Sequence, residues 1–538
     1  MIFHGKLPIL AASLSLVTIA YADAHAGLFY QEPAAPEEMK ASVHIDFINV
    51  TKLDPASLYQ SQHEQVFGSD SKTLSTKDKQ NAVKEAFVFA WEGYKKYSWG
   101  YDENRPVSNS YSNPRNGWGA TIVDALDTLY IMGLSEDFAE ATDFVASIDW
   151  AHPPTSSHVQ LFETIIRYVG GLLSAYDLSY NPVFVDRAVA LADRLLPAFN
   201  SSTGIPYQYI DITTGTPLTG GPSVLAEIGT VQLELFRLSD ITGDQKYREA
   251  GQKVIDFFDT QIKPEKKGLY PMFIDPETGR FESTAISWGG MGDSFYEYLA
   301  KSYVYSGYRD DQKRRMFVDT VRSTIEHMIV SPKDHPDIKL LAELNGDKKR
   351  HVMDELACFV PGTFLLAADT IPELHDIVGI ASELLESCVL AWTSTKTGIA
   401  PEIFGWVDPK TGEFPVPKSD RTIELADKYG VFPVVDSYIL RPETLESIFY
   451  FYRYTKDEKY RDMGWKIFES IQLHCRANSG YTGIRYVDSI SPEWDDRQES
   501  FFFAETLKYL YLLFDDSNVL PLDEWVFNTE AHPLRIQK

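Results

Sequence analysis

From Asn81 to about Asp515 the chain keeps one texture, with apolar residues returning every three or four positions. Val83, Ala86, Phe87, Ala90, Trp91 and Tyr94 form one such stripe, and Phe162, Ile165, Ile166, Val169, Leu173 and Tyr176 form another. That period belongs to a helix burying one face. It predicts fourteen helices, at roughly 81–98, 120–133, 136–149, 158–178, 182–197, 223–240, 244–262, 292–306, 310–330, 361–370, 374–393, 441–454, 457–474 and 498–514. Strand-like pieces such as 268–273 lie between them and suggest small β-hairpins. Four segments open alike, at Glu136, Pro182, Gln245 and Glu458, each with an aromatic residue close behind. Helical hairpins recurring seven times, every 60–70 residues, point to an all-α closed toroid, an (αα)7 barrel of seven inner and seven outer helices. Two stacked helical domains are the alternative.

The first residues have a different texture. Lys6 precedes an apolar stretch from Leu7 to Ala20, followed by small-x-small sites at Ala20-Tyr21-Ala22 and Ala24-His25-Ala26. This reads as a signal peptide over 1–26, since the stretch is short of the ~20 residues that span a bilayer. An uncleaved signal-anchor is the other reading. Residues 27–80 are polar and proline-containing and read as an extended arm, leaving 81–535 as a single catalytic domain. Export into the ER/Golgi lumen or beyond fits two glycosylation sequons, at Asn49 and Asn200. Three cysteines then allow one disulfide. Cys358 and Cys388 flank one helical hairpin and are the expected pair, with Cys475 left over; three buried thiols are the alternative.

Composition narrows the partners. The 538 residues include 77 acidic against 50 basic, a net charge of −27, with 44% hydrophobic and 13% aromatic residues. The hydrophobic share excludes wholesale disorder. The charge argues against nucleic acid and against an electrostatic grip on membranes. An acidic, aromatic surface suits carbohydrate, whose hydroxyls bond carboxylates while its C–H faces pack on rings. The chain has no Gly-x-Ser-x-Gly elbow, phosphate loop, His-Glu-x-x-His or Cys-x-x-Cys, and its histidines lack ligand spacing. An oxygen-only site suits a hard cation such as calcium better than zinc.

The even-numbered helices carry acids near their starts: Asp124 and Asp127, Glu163, Glu227, Asp293, Glu443 and Glu499. If alternate helices line a toroid, these acids gather at one mouth. For any single residue the simpler account is a favourable charge on a helix N-terminus. Glu163 and Arg167 also read as a four-apart ion pair, and Glu443 follows a first-turn proline, Pro442. The large hydrophobes beside Glu163, Glu443 and Glu499 favour burial for a purpose, because burying a charge is costly.

Six blocks extend this picture: Asp124–Gly133; Phe162-Glu163 with Gly170–Tyr176; Gly292–Leu299; Leu440–Ser447; Glu499–Phe502 with Glu505–Tyr509; and Val526–Pro533. Through them the chain resembles the class I α-1,2-mannosidases of glycoside hydrolase family 47, from about Asn81 to Pro533. The resemblance implies an (αα)7 barrel, a bound Ca2+ and an inverting exo-hydrolase that trims terminal mannose from high-mannose N-glycans of glycoproteins, acting as a monomer. It implies catalytic roles for Glu163, Asp293 and Glu443. Glu443 resembles the base, with its helix N-terminus favouring the ionised form, and Glu163 the acid, with Asp293 the rival. Arg167, Glu227, Glu402, Arg441, Glu446, Glu499, Phe501 and Glu505 match sugar-site positions, Thr529 matches the calcium ligand, and Cys358–Cys388 matches the family disulfide. Met291, two residues before Asp293, is closer to the leucine of broadly trimming members than to the arginine of single-cut ER members. The stretch Met353–Gly362 looks nearer the ER type. An ER-degradation mannosidase working with an oxidoreductase partner, a non-catalytic mannose-binding lectin, and another inverting toroid glycosidase are the competing functions.

Overall fold

The computed structural model describes residues 74–538, all within one compact unit. The expected signal peptide, the arm before Leu74 and the Asn49 sequon lie outside the described residues. Fifteen helical segments follow. They are α1 (Thr76–Ser98), α2 (Ala120–Ile131), α3 (Ser135–Ser147), α4 (Leu161–Glu163 continuing through Thr164–Val169 to Gly170–Ser179) and α5 (Pro182–Leu195). Next come α6 (Leu225–Gly229 and Gln232–Thr242), α7 (Gln245–Thr260), α8 (Asp293–Tyr305), α9 (Asp311–His327) and α10 (Val360–Thr370). The last are α11 (Val378–Thr393), α12 (Asp420–Tyr429), α13 (Glu443–Thr455), α14 (Glu458–His474) and α15 (Phe502–Thr506 continuing through Leu507–Leu513).

The contacts close a ring. α2 packs on α4, α4 on α6, α6 on α8, α8 on α10, α10 on α13, α13 on α15, and α15 returns to α2. Each inner helix carries one outer partner: α3, α5, α7, α9, α11 and α14 pack on the inner helix before them in sequence, and α1 packs on α15. This is the (αα)7 barrel, not two stacked domains. Burial separates the layers. All of α8 after Asp293 is buried, whereas α7 buries only Tyr247, Ala250, Gly251, Val254, Ile255 and Phe258 along one stripe. The recurring helix openings mark outer helices. Asn181, Asp244 and Asp457 cap α5, α7 and α14 by accepting from Val183, Lys246 and Lys459 N–H groups at 3.2, 3.1 and 3.0 Å.

Several boundaries differ from the sequence expectation. α1 starts at Thr76 rather than Asn81, because Ser75 and Asp78 form a capping box before the apolar stripe begins. The expected arm therefore ends earlier. α12 was not foreseen; its apolar positions are few, and its limits come from a Ser419–Thr422 capping box and Gly430 at positive φ. α6 is interrupted at Thr230–Val231. Two inner helices widen into π-helical turns, Thr164–Val169 in α4 and Phe502–Thr506 in α15. Cys358 and Cys388 are bonded as expected, with Cα atoms 5.9 Å apart, and tie the turn before α10 to α11. Cys475 is a buried free thiol. Asn200, the other sequon asparagine, is exposed behind α5.

A C-terminal hairpin, Trp525–Phe527 paired with Pro533–Arg535, enters the barrel. The side chains and backbone of its tip touch five inner helices. Asn528 Nδ2 donates to Ile166 O of α4 and to Glu234 of α6, at 3.0 and 2.8 Å. Thr529 N–H donates to the Tyr298 hydroxyl of α8 at 3.3 Å. Lys508 of α15 donates to Ala531 O at 2.7 Å, and the His532 ring lies 2.7 Å from Asp127 and 3.3 Å from Asp124 of α2. Gly170 permits this entry, since a Cβ there would stand 2.6 Å from Asn528 Nδ2.

Candidate active site

The N-terminal turns of the inner helices converge as the carboxylate spacing suggested. Gln160, just before α4, and Gln208 each donate to Glu227 at the head of α6, at 2.9 and 2.8 Å. Ala226 N–H donates to Met291 O at 3.0 Å, joining α6 to the turn before α8. The Leu440 carbonyl before α13 accepts from Thr506 Oγ1 of α15 at 2.7 Å. Ser500, ahead of α15, lies 3.3 Å from Arg167 of α4 and also bonds Asp124 of α2.

Glu163 sits between two guanidinium groups, Arg167 Nε at 2.7 Å and Arg115 Nη2 at 3.2 Å. The four-apart pair with Arg167 is therefore real, but Arg167 also reaches Glu530 on the hairpin tip and Asp124, at 3.5 Å. One buried arginine gathers three acids from α2, α4 and the hairpin. The π-helical turn begins at the residue after Glu163 and contains Arg167. An extra residue per turn re-aims side chains, and such turns recur at functional sites.

Asp293 opens α8, half-buried, and its Oδ1 accepts from Ser294 N–H at 2.7 Å. Burial, followed by the charges of Asp354 and Glu297, raises its pKa to about 7. The preceding glycine loop is shaped by Asp354, whose Oδ2 accepts from Gly290 N–H at 2.8 Å. A Cβ at Gly289 would stand 1.7 Å from Asp354 Oδ1. Met291 then takes a positive φ of 73°, and Leu440, three residues before Glu443, takes 73° as well. Both catalytic candidates thus follow a non-glycine residue in a costly backbone region, which a folded scaffold must enforce.

Glu443 opens α13, and the expectation that its helix N-terminus keeps it ionised meets an opposing effect. Burial and the neighbouring Glu355 push its pKa well above the ordinary carboxylate range, while Arg441, 3.7 Å away, pulls it down. Arg441 is itself fixed by Glu402 at 2.6 Å, and Glu402 Oε1 accepts from Ile439 N–H at 3.2 Å. Glu499 pairs with Arg497 at 3.3 Å; against the cost of burial, Arg497 and Arg115 hold its pKa down. Phe501 is buried with its ring 5.7 Å from the Arg167 guanidinium. The carboxylate, arginine and aromatic candidates named from sequence lie in this network or around the hairpin tip.

Glu530, the neighbour of Thr529 on the hairpin tip, belongs to a cluster of acids that act on one another. Glu446 contacts Lys301 at 3.1 Å and is raised to about 7, mainly by burial. Glu505 is raised well above its ordinary value by burial and then by Glu530, Glu443 and Glu446. Glu530 is raised to about 8, with burial first and Asp124 and Glu163 adding to it. Thr529 stays partly exposed between buried neighbours. Among the described residues no three His, Cys, Asp or Glu side chains form a direct metal set. The hydroxyl of Thr529 and these carboxylates offer oxygen atoms, the ligand type that suits a hard divalent cation.

The profile of glycosyl hydrolase family 47 matches residues 86–536. The chain belongs to this family. It is 41% identical over 480 residues to mannosyl-oligosaccharide alpha-1,2-mannosidase IA of Drosophila melanogaster, covering 87% of this chain and 69% of that one. It is also 41% identical to mannosyl-oligosaccharide 1,2-alpha-mannosidase MNS1 of Arabidopsis thaliana, over 86% of this chain and 79% of that one. The solved alpha-1,2-mannosidase from Trichoderma reesei superposes with a TM-score of 0.82 at 34% identity, covering 85% of this chain and 99% of that one. As a family member the chain is a glycoside hydrolase.

The sequence had not singled out Arg115, Glu297, Lys301, Asp354 or Glu355. Glu297 stands one turn after Asp293 and pairs with the fully buried Lys301, a spacing that was readable. Arg115 lies in a loop with no periodicity, and only the fold brings it to Glu163.

Proposed function

We propose that this chain is an inverting, calcium-dependent exo-α-1,2-mannosidase that trims terminal mannose from high-mannose N-glycans in the secretory pathway. The observation that carries the reading is the meeting of Glu163, Asp293 and Glu443 at the heads of three inner helices in a family 47 barrel. Inversion needs one protonated carboxyl to give a proton to the glycosidic oxygen and one carboxylate to take a proton from water on the opposite face.

The electrostatics favour Asp293 as the proton donor. With a pKa of about 7 it stays substantially protonated at neutral pH. Glu163, clasped by Arg115 and Arg167, is fixed in a charged network suited to orienting water or sugar hydroxyls. This reverses the order in which the resemblance ranked the two. Once ionised, Glu443 takes the proton of the attacking water; Arg441 at 3.7 Å favours that form against burial and the neighbouring Glu355. Arg167, Glu227, Glu402, Glu446, Glu499 and Glu505 supply hydrogen-bonding and charge around the sugar, and Phe501 supplies an apolar wall.

Thr529 would hold calcium through its hydroxyl and carbonyl, with Glu446, Glu505 and Glu530 near enough in the network to hold its waters. When bound, the ion would supply positive charge and oxygen coordination that fix sugar hydroxyls. Glu443→Gln tests the whole reading: mannose release should fall by ~10³-fold or more, within the range expected on losing an essential base. Undiminished release would refute it. Glycan binding by the native chain without product formation would favour a lectin.

A further inference from the structure

Glu355 begins the short 3₁₀ turn Glu355–Phe359 before α10, and its side chain is fully buried. Its N–H donates to Glu402 O at 2.9 Å, which fixes the backbone. Its Oε1 accepts twice from Thr444, from N–H at 3.2 Å and from Oγ1 at 2.7 Å. Among the described residues its other oxygen, Oε2, has no donor, and neither does Oε2 of Glu443. Through its bonds to Thr444, the residue after Glu443, the Glu355 carboxyl is held beside the first turn that carries Glu443, and each acid acts on the other's ionisation. Two ionised carboxylates cannot bond, because both only accept. One proton held between the two donorless Oε2 atoms would satisfy both.

We propose that Glu355 is a positioning residue that shares a single proton with Glu443, so that the pair, rather than Glu443 alone, sets the pH at which the base is ready. This deepens the assignment of Glu443 as base and rests on it. The groups acting on the pair are few. Arg441 favours its ionisation, while Glu402, Glu446 of the same helix and Glu505 of α15 oppose it, and the Tyr438 hydroxyl faces it neutral. Thr444 favours negative charge on Glu355. Burial and like charge together hold the last proton of the pair above the ordinary carboxylate range.

In turnover the shared proton has left before Glu443 acts. The oxygen of water joins the anomeric carbon as the glycosidic C–O bond breaks; the leaving oxygen takes the proton of the general acid, and the O–H bond of water breaks as a new O–H bond forms on Glu443. The proton gained by the pair passes to solvent and the general acid takes one up before the next cycle.

Glu355→Gln tests this. The amide keeps an acceptor for Thr444 and gives Glu443 an N–H donor in place of a shared proton. The acidic limb of kcat/KM should move down by about one pH unit or more, a tenfold or larger change in the ionisation constant, with kcat on the plateau largely kept. An unmoved limb in a folded variant would overturn the proposal. Infrared difference spectra give a second readout that does not need turnover. The native protein minus Glu355→Gln, and minus Glu443→Gln, should each show a protonated-carboxyl C=O band persisting above pH 7. Absence of that band from both would also overturn it. If Glu443→Gln remains active while the band is present, the base assignment fails and the shared proton stands.

Discussion

Lys508 Nζ lies 2.8 Å from Asp127 Oδ1, and neither side chain reaches solvent. The pair joins α15 to α2, the two inner helices that close the ring, and His532 of the hairpin tip sits 2.7 Å from the other Asp127 oxygen. Against the cost of burial, Lys508 and then His532 lower the Asp127 pKa to about 2. Removing one partner strands a buried charge. Lys508→Met should therefore destabilise the fold by about 3–5 kcal/mol, whereas Lys508→Met with Asp127→Leu should recover much of that loss. Urea denaturation of the three proteins checks it; equal losses in single and double variants would refute the coupling.

The same pair makes a pH prediction. The folded pKa of Asp127 is depressed below the ordinary 3.8, so its contribution is complete above pH 4 and is lost as pH falls toward 2. In Asp127→Asn that part of the acid unfolding curve should flatten, by about 2 kcal/mol across the window. Thermal unfolding between pH 2 and 5 reads it directly.

These acids also show what could be read from sequence. The period of apolar residues gave the fourteen helices because inner and outer helices both bury stripes, and the acids at alternate helix starts gave the mouth. Lys508 and Asp127 sit far apart in the chain and carry no mutual signal; only ring closure pairs them. The π-helical turns at Thr164–Val169 and Phe502–Thr506 are equally silent, because their residues fit an ordinary helix; in the first, Ile166 O accepts from Asn528 of the hairpin tip. α12 was hidden for another reason. Its Leu425 and Ala426 pack with Phe432 in a small satellite cluster, too few apolar positions to raise a period.

If Asp293 is the proton donor, its raised pKa dictates the alkaline side of the pH profile. The protonated form is present below about pH 7 and is lost as pH rises through that value, so kcat/KM should fall there. Asp293→Asn should lose activity by ~10²-fold or more and lose that limb as well. Retention of the limb in the residual activity would return the role to Glu163.

The acids around Thr529 predict a metal effect visible without substrate. Chelation should abolish mannose release and lower Tm, and added Ca2+ should restore both, since a ligand bound only by the folded state stabilises it. Thr529→Val should weaken the Tm response to Ca2+ while leaving the hairpin contacts of Asn528 and His532 in place. A Tm indifferent to Ca2+ in the native protein would remove calcium from the reading.

Met291 offers the sharpest test of how far trimming proceeds. It stands two residues before Asp293, partly exposed, at a φ of 73° that its carbonyl bond from Ala226 N–H helps to hold. Replacement by arginine changes charge and reach but not the backbone demand, because both side chains carry a Cβ into the same left-handed region. Native protein should therefore remove several mannoses from a nine-mannose glycan, and Met291→Arg should stall after the first while retaining that first cut. A time course with isomers resolved decides it. A native product lacking one branch mannose alone would show that Met291 does not open the site, and that the Met353–Gly362 stretch was the truer guide.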